Sequence, residues 1–296
     1  MAQIHHFEHG WITPTVSYVL SVLGSLLGLT CTVRLRAAAS RAERVWWLLL
    51  AAVAIGGTAI WSMHFVAMMG FRVVGTPIRY DVGITAASAV IAVIAVGLGL
   101  SIALLGRGAQ NTRILIGGVL AGLGVAAMHY TGMAAMRLNG DVSYGTTLVG
   151  LSLGIAVVAA TVALWLTVTV SRPAVIFLSA LVMGIAVNGM HFTGMAAMTV
   201  TENAATGPLA GATATGMLVP IGVAVVFGIL GLAYALMSAP TEEDRAAAAY
   251  LAARREAGAA AARPAPAQFG GSPQGGERGS ALGSGNWTYR DRTSGR

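Results

Sequence analysis

The chain has 296 residues, 56% of them hydrophobic and only 10% charged, with a mean hydropathy of +0.73; these values exclude an ordinary soluble domain and point to a membrane protein. All 18 basic residues are arginine and the net charge is +7; many of them flank apolar runs, where the natural partner is the anionic cytoplasmic leaflet of a lipid bilayer and not nucleic acid. A lone Cys31 excludes an intramolecular disulfide and any multi-cysteine zinc or iron–sulfur site, and fits a small apolar helix residue.

Residues 1–12 carry His5, His6, Glu8 and His9 and no Lys or Arg. They lack the charged start of a cleavable signal peptide, so the expectation is a polar extracytoplasmic segment and a retained first span. A crossing helix needs about 20 apolar residues, and seven stretches qualify: roughly 13–33, 45–69, 82–105, 114–136, 146–170, 174–198 and 214–237. Arg34, Arg36, Arg41 and Arg44 follow the first stretch, Arg107 and Arg113 the third, Arg172 the fifth, and Arg245, Arg254, Arg255 and Arg263 the seventh. The other side has only Arg72, Arg79 and Arg137 near the spans. The positive-inside rule then sets the N-terminus outside and the C-terminus in the cytoplasm. The expected fold is an all-α, seven-helix polytopic membrane domain over 13–237. In residues 238–296, TEEDRAAAAYLAARREAGAAAA suggests a short helix, and the Gly, Ser and Pro-rich remainder suggests disorder, with Trp287 and Tyr289 near its end. A segment of this length and polarity is not expected to hold a catalytic domain.

Three segments align without gaps: WSMHFVAMMG at 61–70, AAMHYTGMAAM at 126–136 and NGMHFTGMAAM at 188–198. Each carries Met-His-aromatic with a methionine four residues beyond the histidine. Random placement of 13 Met and 6 His gives about a quarter of one Met-His dipeptide, so triplication is not chance. The histidines are 65 and 62 residues apart, room for two passes plus loops, and the repeating unit is therefore a helical hairpin used three times beside one further helix. The motifs fall on spans 2, 4 and 6, which run in the same direction, with each histidine toward the outer end. Parallel repeats of this kind can be arranged about an axis along the membrane normal, which would bring His64, His129 and His191 together.

Positions i, i+4 and i+7 share a helical face. His64 then projects with Met68, His129 with Met133 and Met136, and His191 with Met195 and Met198; Met63, Met128 and Met190, adjacent to the histidines, are further candidate ligands. Imidazole with soft thioether sulfur favours copper, Cu(I) above all, over hard cations, for which the spans offer no carboxylate. Methionine also fills gaps in apolar cores, and GMAAM, Gly118 with Gly122, and Gly150 with Gly154 supply small residues for close helix packing. An ionisable group in hydrocarbon, however, usually faces a cavity and marks function. Asn188, three residues before His191, is a candidate to hydrogen-bond within the site, or alternatively between helices.

On these residues the chain resembles the MHYT family of bacterial integral-membrane sensor domains over about residues 10–237. Met128-His129-Tyr130-Thr131 is the literal motif, Met190-His191-Phe192-Thr193 is the third copy, and Met63-His64-Phe65-Val66 the first, in which valine replaces the threonine. The resemblance implies a seven-helix sensor in the bacterial cytoplasmic membrane, with copper near the outer face, detecting O2, CO, NO or redox state. It also implies a cytoplasmic signalling partner, because family members are often joined to cyclic-di-GMP enzymes or histidine kinases and nothing catalytic follows Met237 here. The spans contain no Ser/His/Asp set, paired carboxylates or phosphate loop, so a non-enzymatic role is expected. Two other functions fit the same residues: copper handling or transport, and haem held by His/His or His/Met ligation.

Overall fold

A computed structural model describes residues 3–5, 7–202, 208–238 and 242–261. His6, Trp287 and Tyr289 lie outside the described residues. The chain divides into two units, residues 1–239 and 240–296; the second contains one described helix, Glu242–Ala261.

In the first unit, six helices are long and apolar enough to cross a membrane: α1 (Ile12–Ala37), α2 (Arg41–Met68), α3 (Val82–Leu105), α4 (Gln110–Ala134), α5 (Thr146–Thr169) and α6 (Pro173–Ala196). A seventh, α7 (Ala214–Ser238), follows. These ranges lie close to the apolar stretches of the sequence. Local chemistry sets several ends. Ser40 accepts the Glu43 amide at 3.1 Å while Glu43 accepts the Ala39 amide at 3.1 Å, satisfying donors at the start of α2. Asp81 caps α3 through the Ile84 amide at 3.0 Å, and Pro173 opens α6, where a missing N–H costs nothing. Arg36 in the last turn of α1 donates to the carbonyls of Val168 and Val170 at the end of α5.

Consecutive helices pack side by side from α1 to α6, and α6 returns to pack on α1, closing a ring. The outer surface exposes large apolar side chains such as Val90, Leu98, Leu120, Val158, Trp165 and Ile185, whereas the interior buries Ser17, Ser21, Ser88, Ser152 and Asn188. That distribution reverses the soluble pattern and suits a lipid surround, in which polar groups must be satisfied inside. Gly118 and Gly122 lie against the backbone of Thr161 and Val157 on α5, so that this small-residue pair does bring two helices close; Gly150 and Gly154 face open space.

Within α2, residues Val53–Ser62 widen from α to i→i+5 hydrogen bonding, and the Ser62 hydroxyl donates to the Gly57 carbonyl five residues back at 2.9 Å. Such π segments concentrate at functional sites, and this one ends two residues before His64. Hydropathy alone cannot distinguish it from α-helix.

Short strands collect at one end of the ring: β1 (Ile4–His5), β2 (Arg72–Val73), β3 (Arg79–Tyr80), β4 (Met136–Arg137), β5 (Gly140–Tyr144), β6 (Met198–Glu202) and β7 (Ala212–Thr213). β1 pairs with β2, β3 lies between β4 and β7, and β5 pairs with β6, all antiparallel. One backbone bond recurs here in all three copies of the motif. The carbonyl six residues after each histidine accepts an amide from just before an odd-numbered helix: Gly70 from Glu8 at 2.9 Å, Ala135 from Asp81 at 2.8 Å and Ala197 from Gly145 at 2.8 Å. Each motif's end is thereby tied to the start of the helix preceding it.

Candidate metal centre

The three histidines sit four or five residues before the ends of α2, α4 and α6, about 6–8 Å from the strand end at 1.5 Å per residue. The structure brings them together at this common depth. The Nδ1 atoms are 3.0 Å apart for His64 and His191, 3.1 Å for His129 and His64, and 3.4 Å for His191 and His129. All three side chains are buried, at 1–2% exposure, and they form a cluster close enough to hold a metal ion.

A ring nitrogen either carries a proton or offers a lone pair, never both. Three Nδ1 atoms facing one another therefore cannot all be satisfied by mutual hydrogen bonds, and burial makes the shortfall costly. A cation at their centre removes it. The circle through the three nitrogens has a radius of about 1.8 Å, slightly below metal–imidazole distances of about 2.0–2.1 Å. The three nitrogens are thus a donor set of the size that would hold one transition-metal ion.

The rings are held in place by other parts of the motif. The aromatic residue after each histidine packs edge-on against that same imidazole: Phe65 at 4.9 Å, Tyr130 at 4.9 Å and Phe192 at 5.0 Å between centroids. Each of these aromatics meets another toward the strands, Tyr80 at 6.2 Å, Tyr144 at 5.9 Å and Phe7 at 5.7 Å respectively. Burial pushes the Tyr80 phenol up, and burial followed by the neighbouring Tyr130 does the same for Tyr144, so both stay neutral over the site. The Tyr130 hydroxyl meets the Ser152 hydroxyl at 2.6 Å, and the Trp61 indole donates to Ser88 at 3.0 Å, fixing the two aromatics to α5 and α3.

The glycine three residues after the histidine has a function that the sequence pattern did not reveal. A Cβ on Gly132 would lie 2.4 Å from Nε2 of His64, and a Cβ on Gly194 would lie 2.2 Å from Nε2 of His129. Each of these imidazoles occupies the space left by the next motif's glycine. Both Nε2 atoms are buried without a hydrogen-bond partner among the described residues, so ring orientation rests on shape. In the first motif the equivalent position is Ala67, also buried.

The methionines divide into two groups. Met68, Met133, Met136, Met195 and Met198 belong to the apolar cluster on the strand side, with Phe65 and Tyr80; Met128 and Met190 belong to the opposite cluster, and Met63 is buried at 1%. Two corrections to the expected ligand stripe follow. Met136 and Met198 do not continue the helical face of their histidines, because α4 stops at Ala134 and α6 at Ala196. The chain turns there so that Met136 pairs with Tyr80 and Met198 with Tyr144 in strands. Asn188 is committed elsewhere: its Oδ1 lies 2.9 Å from the Ser17 hydroxyl, and its amide donates to Ser21 at 2.9 Å and to the Gly184 carbonyl at 2.8 Å. It joins α6 to α1 and has no bond to His191 in this arrangement.

Comparison with known proteins bears on what such a centre is for. A family model described as MHYT, a bacterial signalling protein N-terminal repeat, matches three times, over residues 57–118, 122–180 and 184–253. The chain is 40% identical over 186 residues to MucR of Pseudomonas aeruginosa, a bifunctional diguanylate cyclase/cyclic di-GMP phosphodiesterase, covering 61% of this chain and 27% of that protein. It is 39% identical over 156 residues to the cyclic di-GMP phosphodiesterase NbdA of the same organism, covering 51% and 20%. With the signalling protein YkoW of Bacillus subtilis it shares 31% identity over 208 residues, covering 68% and 25%. The chain thus spans about a quarter or less of the length of these relatives. No solved structure matches it.

Proposed function

The chain belongs to the MHYT family of bacterial signalling proteins, and from that premise we propose that it is a non-enzymatic membrane sensor whose His64, His129 and His191 hold copper. The observation that carries this reading is the convergence of three buried Nδ1 atoms within 3.0–3.4 Å. Imidazole nitrogens accept several transition metals, and the thioethers of Met68, Met133 and Met195 on the strand side and of Met128 and Met190 on the other tilt the surroundings toward a soft ion. A haem fits less well, because a macrocycle between two axial imidazoles needs the space in which the third imidazole stands. Copper, when bound, supplies a redox-active centre that takes small ligands such as O2, CO or NO.

The protein's own residues do the rest. The three imidazoles fix the ion's position, Gly132 and Gly194 accommodate two of the rings, and Phe65, Tyr130 and Phe192 cover them against water. A change in the spacing of the rings moves α2, α4 and α6 relative to one another, and the π segment before His64 gives α2 a point at which to yield. In the proposed topology α1–α7 all cross the bacterial cytoplasmic membrane with the N-terminus outside, which sets the histidines near the outer face and residues 238–296 in the cytoplasm beside a signalling partner.

Elemental analysis of the purified, metal-loaded protein tests the reading. Copper is expected in stoichiometric amount in the wild-type chain and absent from the triple variant His64→Ala, His129→Ala, His191→Ala. Equal copper in the two proteins overturns the assignment.

A further inference from the structure

On the side of the imidazoles away from the strands, the helix ring contains a second feature, a partly open cavity of about 70 Å³. Ile60, Val125 and Val187 line it. These lie four residues before His64, His129 and His191, about one helical turn on α4 and α6 and inside the π segment on α2, so one end of the cavity lies about a turn from the rings. Its wall is alanine, valine, isoleucine, leucine and methionine almost throughout. Two hydroxyls are the exceptions: Thr167 on α5, which donates to the Leu164 carbonyl at 2.7 Å, and Ser25 on α1, which is fully buried and has no hydrogen-bond partner among the described residues. Its neighbours on the same stripe, Ser17 and Ser21, are both bonded to Asn188.

A groove on the outer, apolar surface between α5 and α6 begins at Gly150 and Gly154 and shares four lining residues with this cavity: Ala159, Ala163, Met183 and Ala186. Three of the four are alanines. The partition between the cavity and the bundle's exterior is therefore built largely from the smallest side chain that a helix favours.

We propose that the cavity is a binding site for a small apolar molecule of one or two heavy atoms, admitted sideways from the lipid between α5 and α6. Its volume exceeds the roughly 10–15 Å³ that one water requires and is about half of the ~150 Å³ apolar cavity known to take benzene or xenon. Water is a poor occupant because it needs two to four polar partners, and the wall offers only two hydroxyls, Ser25 and a Thr167 whose proton already goes to the Leu164 carbonyl. A diatomic molecule, apolar in bulk and weakly hydrogen-bonding at one end, matches both the wall and the Ser25 hydroxyl. What the occupant does there rests on the sensor reading, since one end of the cavity lies about a turn from the imidazoles; its binding requires no metal.

Xenon is the probe. The full chain in lipid nanodiscs, stripped of metal, is titrated with xenon and followed by 129Xe NMR, alongside Ala163→Phe, which fills the shared wall, and Leu98→Phe, an exposed position on the face of α3 opposite the lining residues Val96 and Leu100. Saturable binding is expected in the wild-type chain and in Leu98→Phe, with at least a tenfold loss in Ala163→Phe. If that variant does not fold, Ala163→Leu serves the same comparison. No saturable xenon in the wild-type chain, or equal binding in the filled variant, overturns the proposal. Copper content measured on parallel, metal-loaded preparations of the same proteins separates the two ideas: xenon binding without copper uptake leaves the cavity site standing and removes the metal assignment, and copper uptake without xenon binding does the reverse.

Discussion

Replacing Gly132 or Gly194 by alanine adds one methyl group at a position where the structure leaves no room. The new Cβ would lie 2.4 Å from His64 Nε2 in the first case and 2.2 Å from His129 Nε2 in the second. Ordinary heavy-atom contact is about 3.5 Å, so each imidazole must retreat by roughly 1 Å. Metal–ligand distances tolerate about 0.2 Å, and disturbing the groups that orient a ligating histidine costs about 10–100-fold in metal affinity. Helix propensity acts in the opposite direction, since alanine improves on glycine by about 1 kcal/mol in a helix interior, offsetting part of an overpacking cost of about 1–3 kcal/mol. Each variant is thus expected to fold with a modest change in thermal midpoint and to lose copper affinity 10–100-fold in a chelator competition titration. Gly189→Ala is the control: it lies on α6 near the motif, but its Cβ meets nothing within 4 Å, and its affinity is expected to match the wild-type chain. If Gly132→Ala binds copper normally, or if Gly189→Ala is equally impaired, ring placement by the motif glycines is refuted.

Asn188→Ala removes two bonds between α6 and α1; at about 0.6 kcal/mol for each interhelical bond in a membrane bundle, stability should fall by about 1 kcal/mol in a denaturant titration while copper content is unchanged. Tyr130→Phe deletes the contact with Ser152, but the third motif already carries Phe192 there; a loss under about 1.5 kcal/mol with copper retained is expected from thermal melts and elemental analysis. At the strand end, the Ile84 amide, with help from the Arg137 guanidinium, holds the Asp81 carboxyl below the usual carboxylate range. Its stabilising contribution is then complete above the unfolded value near pH ~3.9 and disappears as pH falls through the lower folded value. Asp81→Ala should lower the thermal midpoint at neutral pH and converge on the wild-type chain under acid; parallel curves across pH would contradict this.

The meeting of His64, His129 and His191 was legible because three signals agree: identical tripeptide chemistry, spacings of two passes, and the expense of an imidazole in hydrocarbon. Helix positions were legible from apolar length. Other features depend on partners far along the chain. Asn188 bonds to residues 171 and 167 positions earlier, a relationship that no local spacing encodes. The glycine at His+3 reads as generic helix packing until a neighbouring ring is seen against it. Met136 and Met198 read as part of a helical stripe because periodicity marks which face a residue occupies but not where the helix stops; each helix ends two residues short of its methionine, which pairs instead with Tyr80 or Tyr144 in a strand. The π segment, similarly, leaves composition unchanged.

The way two of the imidazoles rest against the next motif's glycine gives the centre a direction. His64 bears on the helix of Gly132, and His129 on the helix of Gly194, so contact passes from the first motif to the second and from the second to the third in one rotational sense. A ring displaced outward in the proposed sensor therefore bears on the helix of the next motif and not on that of the one before it. The first motif carries Ala67 where a third such glycine would stand, so the series of nested rings has a beginning and an end and does not close on itself.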